Sequence, residues 1–168
     1  VNLKRVSVDL SRDDISAYPF LFFTGLDDFI LSAKQIQVLQ KHVNRGGTLV
    51  VNNALGLSTF HQAALREMRR AFPKSDLDLL PQSHDIFRSL HTISRVKYTP
   101  TLLKDKGKEL QGRPVLLGAK VDGRLALLYS PYDIEGGWNE VRYPLCRGYQ
   151  SMSAKQLGCN IIMYAMEN

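Results

Sequence analysis

The sequence predicts a layered α/β fold with a mainly parallel sheet. The evidence lies in residues 19 to 53, where an apolar run at 20–24, an amphipathic helix and a second apolar run at 48–52 follow one another. Two apolar strands joined by a helix form a parallel unit, and such a unit buries both faces of its sheet only between layers of helices. In such folds ligands usually lie at the carboxyl ends of the strands.

Length and composition are those of one globular domain with a sizeable core: 168 residues, 44% hydrophobic and 23% charged. No run approaches the roughly 18 apolar residues that a membrane-spanning helix needs, so we expect no membrane insertion. The chain begins with Val1 rather than Met, which is typical of a trimmed piece or a mature form. A cell-envelope or periplasmic location would follow only from a processed N-terminus.

The charge balance is basic, with 22 Lys and Arg against 16 Asp and Glu and a net charge of +6. Such a balance is compatible with an anionic partner. The tightest basic group, Arg66, Arg69 and Arg70, lies at the end of a predicted helix, where cations complement the helix dipole. We therefore expect no nucleic-acid partner. The two cysteines, Cys146 and Cys159, are expected to be free thiols, because two cysteines make no disulfide framework.

The first part of the chain is predicted to form two strands and a helix before the strand at 48–52. Alternating apolar residues predict a strand over Val1–Leu10. The strand at 20–24 follows. Ser32 and Gln35 form a capping box that starts the helix, and Gly46-Gly47 ends it. Because the strand at 48–52 is nearly all apolar, we expect it to be central in the sheet.

The remaining elements are a helix, a short edge strand, a hairpin and a final helix. The helix is predicted from Thr59 to Phe72, with Thr59 and Gln62 as its capping box. Leu77–Leu80 is expected to be an edge strand, and residues 94–113 a polar, irregular loop. Two apolar runs around Asp122-Gly123 predict a β-hairpin at 115–129. The chain closes with a helix near 153–166.

Short motifs along nearly the whole chain carry a resemblance to a known family. They are Pro19–Gly25, Phe29 with Ser32, Gly46–Leu49, Arg66–Met68 with Phe72-Pro73, Leu80-Pro81 with His84–Phe87, Gly123–Ala126 with Tyr129-Ser130, Asp133 with Gly137-Trp138, and Gly158 with Asn160-Ile161. In this order and spacing the chain resembles the bacterial family called Domain of Unknown Function 4159, a member of the class I glutamine amidotransferase-like fold group.

The resemblance implies a three-layer flavodoxin-like sandwich, that is, a class I glutamine amidotransferase-like fold, and a single domain over residues 1–168. It implies no known activity. It also implies a further strand and helix upstream of Val1. The chain departs from the family pattern twice: Asn52-Asn53 stand where acidic residues are common, and His84-Asp85 stands where the family usually has His-Pro.

No catalytic machinery is apparent in the sequence. Amidotransferases of this fold place a cysteine on a sharp strand-to-helix turn, and the equivalent residues 52–56 contain neither Cys nor Ser. The four histidines fall on different predicted elements, so they form no metal cluster, and no phosphate-binding glycine loop is present. We expect no catalytic residue, no metal and no cofactor.

The candidate binding site consists of residues near the expected carboxyl ends of the strands. Its aromatic rings, amides and carboxylates are groups that bind polar ligands such as sugars. Each also has a structural alternative, such as capping by the aspartates, core covering by the tryptophan, or a hydrogen-bonded structural histidine. The candidates are Gly25, Asp27, Asp28, Asn52, Asn53, His84, Tyr132, Asp133 and Trp138.

Three functions fit these observations. The first is a non-catalytic module that binds a small polar ligand or a protein partner. The second is a hydrolase acting on a polar or carbohydrate-like substrate, with His84 as the base and Asp133 or Asp27 as the acid or orienting group. The third is a scaffolding domain in which Trp138 and Phe29 fill the cleft.

Overall fold

The computed structural model describes residues 6–140 and 143–167. Its five-stranded sheet has the order β1-β2-β5-β4-β3. β1 pairs with β2, and β2 with β5, in parallel, whereas β4 is antiparallel to both of its neighbours. Four of the five strands therefore run in one direction. The strands are β1 (Phe20–Gly25), β2 (Thr48–Asn53), β3 (Asp78–Leu79), β4 (Leu117–Val121) and β5 (Arg124–Ser130).

Helices cover both faces of this sheet. They are α1 (Ala33–Asn44), α2 (Ser58–Ala71), α3 (Pro100–Leu110), α4 (Glu135–Trp138) and α5 (Ser151–Glu167). One hydrophobic cluster joins α1 and α2 to the sheet, and a second joins α3 and α5 to the opposite face. The predicted mixed α/β fold with a mostly parallel sheet is confirmed.

The predicted β1-α1-β2 unit is confirmed together with its caps. The Ser32 side chain accepts a hydrogen bond from the Gln35 amide, and the Gln35 side chain accepts one from Ser32, so the capping box is complete. Gly46 takes a left-handed conformation (φ +98°) at the end of α1. β2 is buried at every position between β1 and β5, as expected for a central strand.

The second predicted capping box is wrong. α2 begins at Ser58, and its N-cap residue Leu57 makes no side-chain capping bond. The turn is fixed from outside the helix instead, because the Asn53 side-chain oxygen accepts a hydrogen bond from the Leu57 amide at 3.1 Å. Thr59 is already helical, and its hydroxyl donates to the Leu26 carbonyl.

The expectation of an irregular loop over 94–113 is also wrong, because α3 lies within it. Pro100 occupies the first turn of α3, where its missing N–H costs nothing. Leu102 and Leu110 are buried and anchor one face of the helix in the core. Gln111 ends the helix in a left-handed conformation (φ +51°). Three lysines in the helix, one of them between the two leucines at helical spacing, mask this sparse apolar stripe in the sequence.

The strand expected over Val1–Leu10 is not formed where the structure describes it. Residues 6–9 have no regular structure and residue 10 lies in a turn, while residues 1–5 lie outside the described residues. The turn is closed by Asp9, whose side chain accepts a hydrogen bond from the Ser11 amide at 2.8 Å. Val8 and Leu10 pack beside the α1 cluster rather than in a sheet.

The hairpin, the edge strand and the final helix agree with the sequence prediction. β4 and β5 form the predicted hairpin, in which Asp122 (φ +50°) and Gly123 (φ +84°) both take positive φ, as a two-residue hairpin turn of type I′ requires. β3 is the expected edge strand, and α5 is the expected final helix. No helix in the described residues is long and apolar enough to cross a membrane.

Candidate functional site

The carboxyl ends of β1, β2 and β5 lie side by side. Thr24 is paired with Asn52, and Asn52 with Ser130 on the other side. This edge of the sheet is where the sequence places the candidate site. Asn52, Asn53 and Asp133 are brought together there, and all three are buried.

Asn52 joins three segments of the chain. Its side-chain amide donates to the Thr24 hydroxyl at 3.1 Å and to Asp133 Oδ1 at 3.1 Å. Its oxygen accepts from the Ile134 amide at 2.9 Å. The residue is 0% exposed. All of its polar atoms are therefore engaged inside the protein, and Asn52 ties β1 and β2 to the segment that follows β5.

Asp133 is the carboxylate at the centre of this network, and it is 2% exposed. Besides Asn52, it accepts a hydrogen bond from the Gly136 amide at 3.2 Å and one from the Cys146 thiol at 3.5 Å. Burial, together with the negative charge of Asp133, raises the pKa of Cys146 to about 12. Cys146 therefore stays a protonated thiol near neutral pH and is a poor nucleophile.

Asn53 holds the sharp turn between β2 and α2. Its side-chain nitrogen donates to the Leu57 and Pro131 carbonyls, while its oxygen accepts from the Leu57 amide. Within the turn Leu55 takes a left-handed conformation, with φ 56° and ψ 1°, which is strained for a side chain of this type. The Leu55 carbonyl accepts from the Arg147 amide. The turn between β2 and α2 is thus sharp, with leucine at its strained position.

Two neighbouring residues, His61 and Tyr129, were not singled out from the sequence. His61 Nδ1 lies 2.8 Å from the Tyr129 hydroxyl. Burial, and then the positive charge of Lys106, lower the pKa of His61, and burial raises that of Tyr129. The available signal was position: His61 lies in the first turn of α2, directly after the bend, and Tyr129 is near the end of β5.

Asp27 and Asp28 are exposed in the segment that follows β1. Asp28 accepts a hydrogen bond from Arg66 at 2.9 Å, and Arg66 also bonds the buried Glu67 at 2.8 Å. Glu67 accepts a further bond from the Leu31 amide at 3.0 Å. Burial alone would raise the pKa of Glu67, but these partners outweigh it and lower the pKa. The network anchors the segment after β1 to α2.

His84 lies beside the C-terminal part of α5. Its ring is 5.4 Å from that of Tyr164, and its Nδ1 accepts a hydrogen bond from the Ile86 amide. Burial lowers the pKa of His84; Asp85 opposes this effect and the charge of Lys120 adds to it. Lys120 is paired with Leu125 near the start of β5. The structure therefore does not bring His84 to Asp133, which follows the end of β5.

The remaining candidates take part in packing. A Cβ atom at Gly25 would lie 2.4 Å from the Phe60 ring, so glycine allows α2 to approach β1. The Tyr132 and Tyr98 rings are 5.9 Å apart, edge to face. Trp138 donates its indole N–H to the Ala154 carbonyl at 2.6 Å.

Trp138 and Phe29 lie on opposite faces of β1. The Trp138 ring is 5.0 Å from Phe22, and the Phe29 ring is 5.0 Å from Phe23. Successive strand residues point to opposite faces, and Phe22 and Phe23 belong to different core clusters. The two aromatic rings therefore flank β1 instead of filling the carboxyl edge together.

A family model described as a domain of unknown function (DUF4159) matches residues 1–166. The chain belongs to this family. The match confirms the resemblance to DUF4159 found in the sequence. No curated protein matches the chain. The family assignment carries no activity with it, so the function of this DUF4159 chain has to be argued from its own side chains.

A cavity of about 920 Å³ lies along β1 in this DUF4159 chain. We call it the β1 groove. Phe20, Phe22, Phe23, Phe29 and Trp138 line it together with Val6, Val8 and the α5 residue Met166. The sequence does not predict this groove, because no local pattern shows on which side of β1 its neighbouring strand lies.

β1 is an edge strand in the described part of the chain, since only β2 pairs with it. The Pro19 carbonyl accepts a hydrogen bond from the Thr48 amide of β2 at 2.9 Å. Backbone groups of successive residues point to alternate sides of a strand. The N–H and C=O groups of Phe20, Phe22 and Thr24 therefore point to the open edge.

Proposed function

We propose that this DUF4159 chain is a single non-catalytic domain with a glutamine amidotransferase-like sandwich, and that it binds an extended, apolar polypeptide strand along the open edge of β1. The observation that carries the proposal is the β1 groove beside a six-residue edge strand that has no charged residue. A long, flat, apolar edge is a template for a further strand.

Support for a non-catalytic domain comes from the bend after β2. Leu55 occupies the strained position where a nucleophile would be needed, and it has no reactive atom. The thiol nearest to this network, Cys146, bonds a carboxylate rather than an imidazole, and its pKa is raised to about 12. The contacts of His84 in the described residues are with Ile86 and Tyr164 and not with Asp133, so a hydrolase using His84 with Asp133 has no geometric support.

A polypeptide fits better than a small polar ligand because the polar groups at the carboxyl edge bond one another. Asn52, Asn53 and Asp133 are all buried and hydrogen-bonded internally. A sugar or similar ligand would have to break these bonds, and each buried polar group left without a partner costs about 1 to 3 kcal/mol.

The β1 edge provides both backbone hydrogen-bonding groups and apolar side-chain contacts for an added strand. The outward backbone groups of Phe20, Phe22 and Thr24 supply hydrogen bonds, and the aromatic walls on both faces of β1 receive alternate side chains of an added strand. Main-chain bonds then give affinity, while the pockets on the two faces give specificity.

The test uses a fluorescent peptide of about seven residues, with valine and threonine alternating and a glutamate at each end. Fluorescence anisotropy measures its binding to the chain and to three variants. Phe22→Pro removes one outward N–H, and Phe22→Val keeps that N–H with an apolar side chain. Leu79→Pro makes the same change at the opposite edge, because Leu80 bonds β4 and Leu79 therefore points outward.

We expect Phe22→Pro to weaken binding at least about tenfold relative to Phe22→Val, because the variant loses a hydrogen bond and its ring blocks approach. Leu79→Pro should bind like the unmodified chain. If the peptide does not bind the folded chain, or if Phe22→Pro and Phe22→Val bind equally well, strand addition at β1 is wrong. Circular dichroism of each variant shows whether that variant is folded.

A further inference from the structure

We infer that the strand received by the β1 groove is β1 of a second copy of this chain, paired antiparallel about a two-fold axis at Phe22. The inference rests on the proposed strand addition and names its partner. It joins the two five-stranded sheets into one continuous sheet. Such an interface uses the same surface of both copies, as two-fold symmetric dimers do.

The hydrogen-bonding groups of β1 are self-complementary in this arrangement. The outward residues Phe20, Phe22 and Thr24 are evenly spaced around Phe22. In an antiparallel pair centred there, Phe22 faces Phe22 of the second copy, and Phe20 faces Thr24 of the second copy. Each outward residue donates one N–H and accepts one bond, so three residues on each of two strands give about six hydrogen bonds with no outward group left over.

The side chains match in the same register. Phe22 meets its own counterpart on one face, and Leu21 meets Phe23 of the second copy on the other. Aromatic pairs and aromatic–aliphatic pairs across strands each stabilise an antiparallel sheet. Charged residues and proline ordinarily prevent edge strands from pairing with one another. The β1 edge has neither a charged residue nor an internal proline.

The apolar surface around β1 extends the contact beyond the strand. A standard interface buries about 800 Å² on each partner, and a six-residue strand supplies only part of that area. Val6 and Met166 line the β1 groove and are exposed, as are Leu26 and Ile30 in the segment that continues from β1. Four of the ten exposed large hydrophobic residues in the described part of the chain therefore lie near β1.

Net charge predicts how the dimer responds to salt. Each copy carries +6, so two copies repel each other over distances of the order of the screening length. Raising the salt concentration screens this repulsion and leaves the apolar contact intact. Dimerisation should therefore strengthen at high salt, whereas an interface held by opposite charges would weaken.

Analytical ultracentrifugation over about a hundredfold range of concentration is the first test. We expect a reversible monomer–dimer equilibrium for the unmodified chain, for Phe22→Val and for Leu79→Pro, with tighter association at high salt. Phe22→Pro should weaken association at least about tenfold. Loss of the association in Leu79→Pro instead of Phe22→Pro would place the interface at the other edge and overturn the inference.

Crosslinking tests the register. In the pair described above the two Phe22 Cα atoms face each other at about 5.5 Å, a distance that a disulfide spans. In a Cys159→Ser background, which removes the exposed native thiol, Phe22→Cys should form a covalent dimer on oxidation. Leu79→Cys in the same background, at the opposite edge, should not. Equal crosslinking of both variants would contradict the proposed pairing.

The outcomes separate this inference from the function on which it rests. A chain that stays monomeric at every concentration but binds the strand peptide retains the proposed function and overturns the second copy as partner. If the chain stays monomeric and also fails to bind the peptide, the proposed function and the dimer inference are both wrong. A chain extended upstream of Val1 that stays monomeric, while the 168-residue chain dimerises, would assign the edge to the upstream strand and overturn the inference.

Discussion

At the scale of single residues, Asn52 has a structural role although it lies at the carboxyl edge of the sheet, where ligands bind in many α/β proteins. An asparagine side chain has both donors and an acceptor, and Asn52 uses both kinds at once, toward Thr24, Asp133 and the Ile134 amide. A carboxylate at this position could not donate to Asp133 and would lie beside another negative charge. The amide therefore suits this buried network better than a carboxylate would.

Replacing Asn52 tests this structural role. Asn52→Ala leaves Thr24, Asp133 and the Ile134 amide each without one partner in a buried site. We expect the free energy of unfolding, measured by urea denaturation, to fall by about 3 kcal/mol. Gln82→Ala is the matched control, because the Gln82 side-chain amide also donates a hydrogen bond, to the Ser94 carbonyl, but is exposed. A loss for Asn52→Ala no larger than for Gln82→Ala would contradict the role.

At the scale of elements, α3 is a helix that the sequence did not predict, and Gly107 tests it. Gly107 lies inside α3, where a Cβ would meet nothing closer than 3.6 Å. We expect Gly107→Ala to raise the free energy of unfolding by about 0.5 to 1 kcal/mol, because alanine favours helix over glycine. The midpoint of thermal or urea unfolding measures the change.

Gly46 provides the contrasting substitution. A Cβ added at Gly46 would also meet open space, with no atom within 4 Å, but the φ of this residue is +98°. Gly46→Ala should therefore lower the free energy of unfolding by about 1 kcal/mol through backbone strain alone. A change of stability in the same direction for both glycine variants would contradict either the helical conformation at Gly107 or the left-handed end of α1.

Elements with a strong apolar period could be predicted from the sequence, and elements held by few contacts could not. β1, α1 and β2 combine continuous apolar runs with a capping box, and the hairpin has Asp122-Gly123 at its turn. α3 has only Leu102 and Leu110 buried, which is too sparse a pattern to distinguish from a loop. Local sequence also misplaced the start of α2, because the bond that fixes it comes from Asn53 in the preceding strand.

The sequence predicted that Asn52, Asn53 and Asp133 lie near one another, but not that their side chains are buried and hydrogen-bonded inside the protein. Polar residues at the ends of β2 and after β5 do meet, because the carboxyl ends of parallel strands lie at one edge. That Asn52 and Asp133 would bond each other depends on the path of the chain after β5, which no local pattern encodes. His84 was misplaced for a similar reason: its neighbours Tyr164 and Lys120 are distant from it in the sequence.

At the scale of the whole molecule, strand order determines which surface remains open. β2 and β5 are apolar strands in the middle of the sheet, and each has a hydrogen-bonded strand on both of its edges. β1 is equally apolar but lies at an edge, with Phe22 and Phe23 facing opposite clusters. The buried polar network closes the carboxyl edge, whereas the β1 groove leaves apolar surface accessible. The molecule therefore offers a partner apolar surface and backbone groups more than polar side chains.

The pH dependence of stability also belongs to the whole molecule, because three histidines on separate elements change in the same sense. Burial is the largest cause that lowers the pKa of His42, His61 and His84. His42 is 5% exposed, and its Nε2 has no hydrogen-bond partner among the described residues, while Arg124 disfavours its protonation further. Unfolded histidines bind protons at about pH 6.5, and these folded ones do so only at lower pH.

The unfolded state therefore binds more protons as the pH falls below about 6.5, and the free energy of unfolding must decrease in that range. The contribution is complete above the unfolded pKa and is lost as the pH falls through the folded pKa values. We expect the urea midpoint to drop between about pH 7.5 and pH 5.5, before carboxylates such as Glu67, with its lowered pKa, titrate. His42→Leu should flatten this dependence, since an apolar side chain fills the site without binding a proton, whereas Lys41→Leu at the neighbouring exposed position should not. An unchanged slope in His42→Leu would show that His42 does not resist protonation in the folded chain.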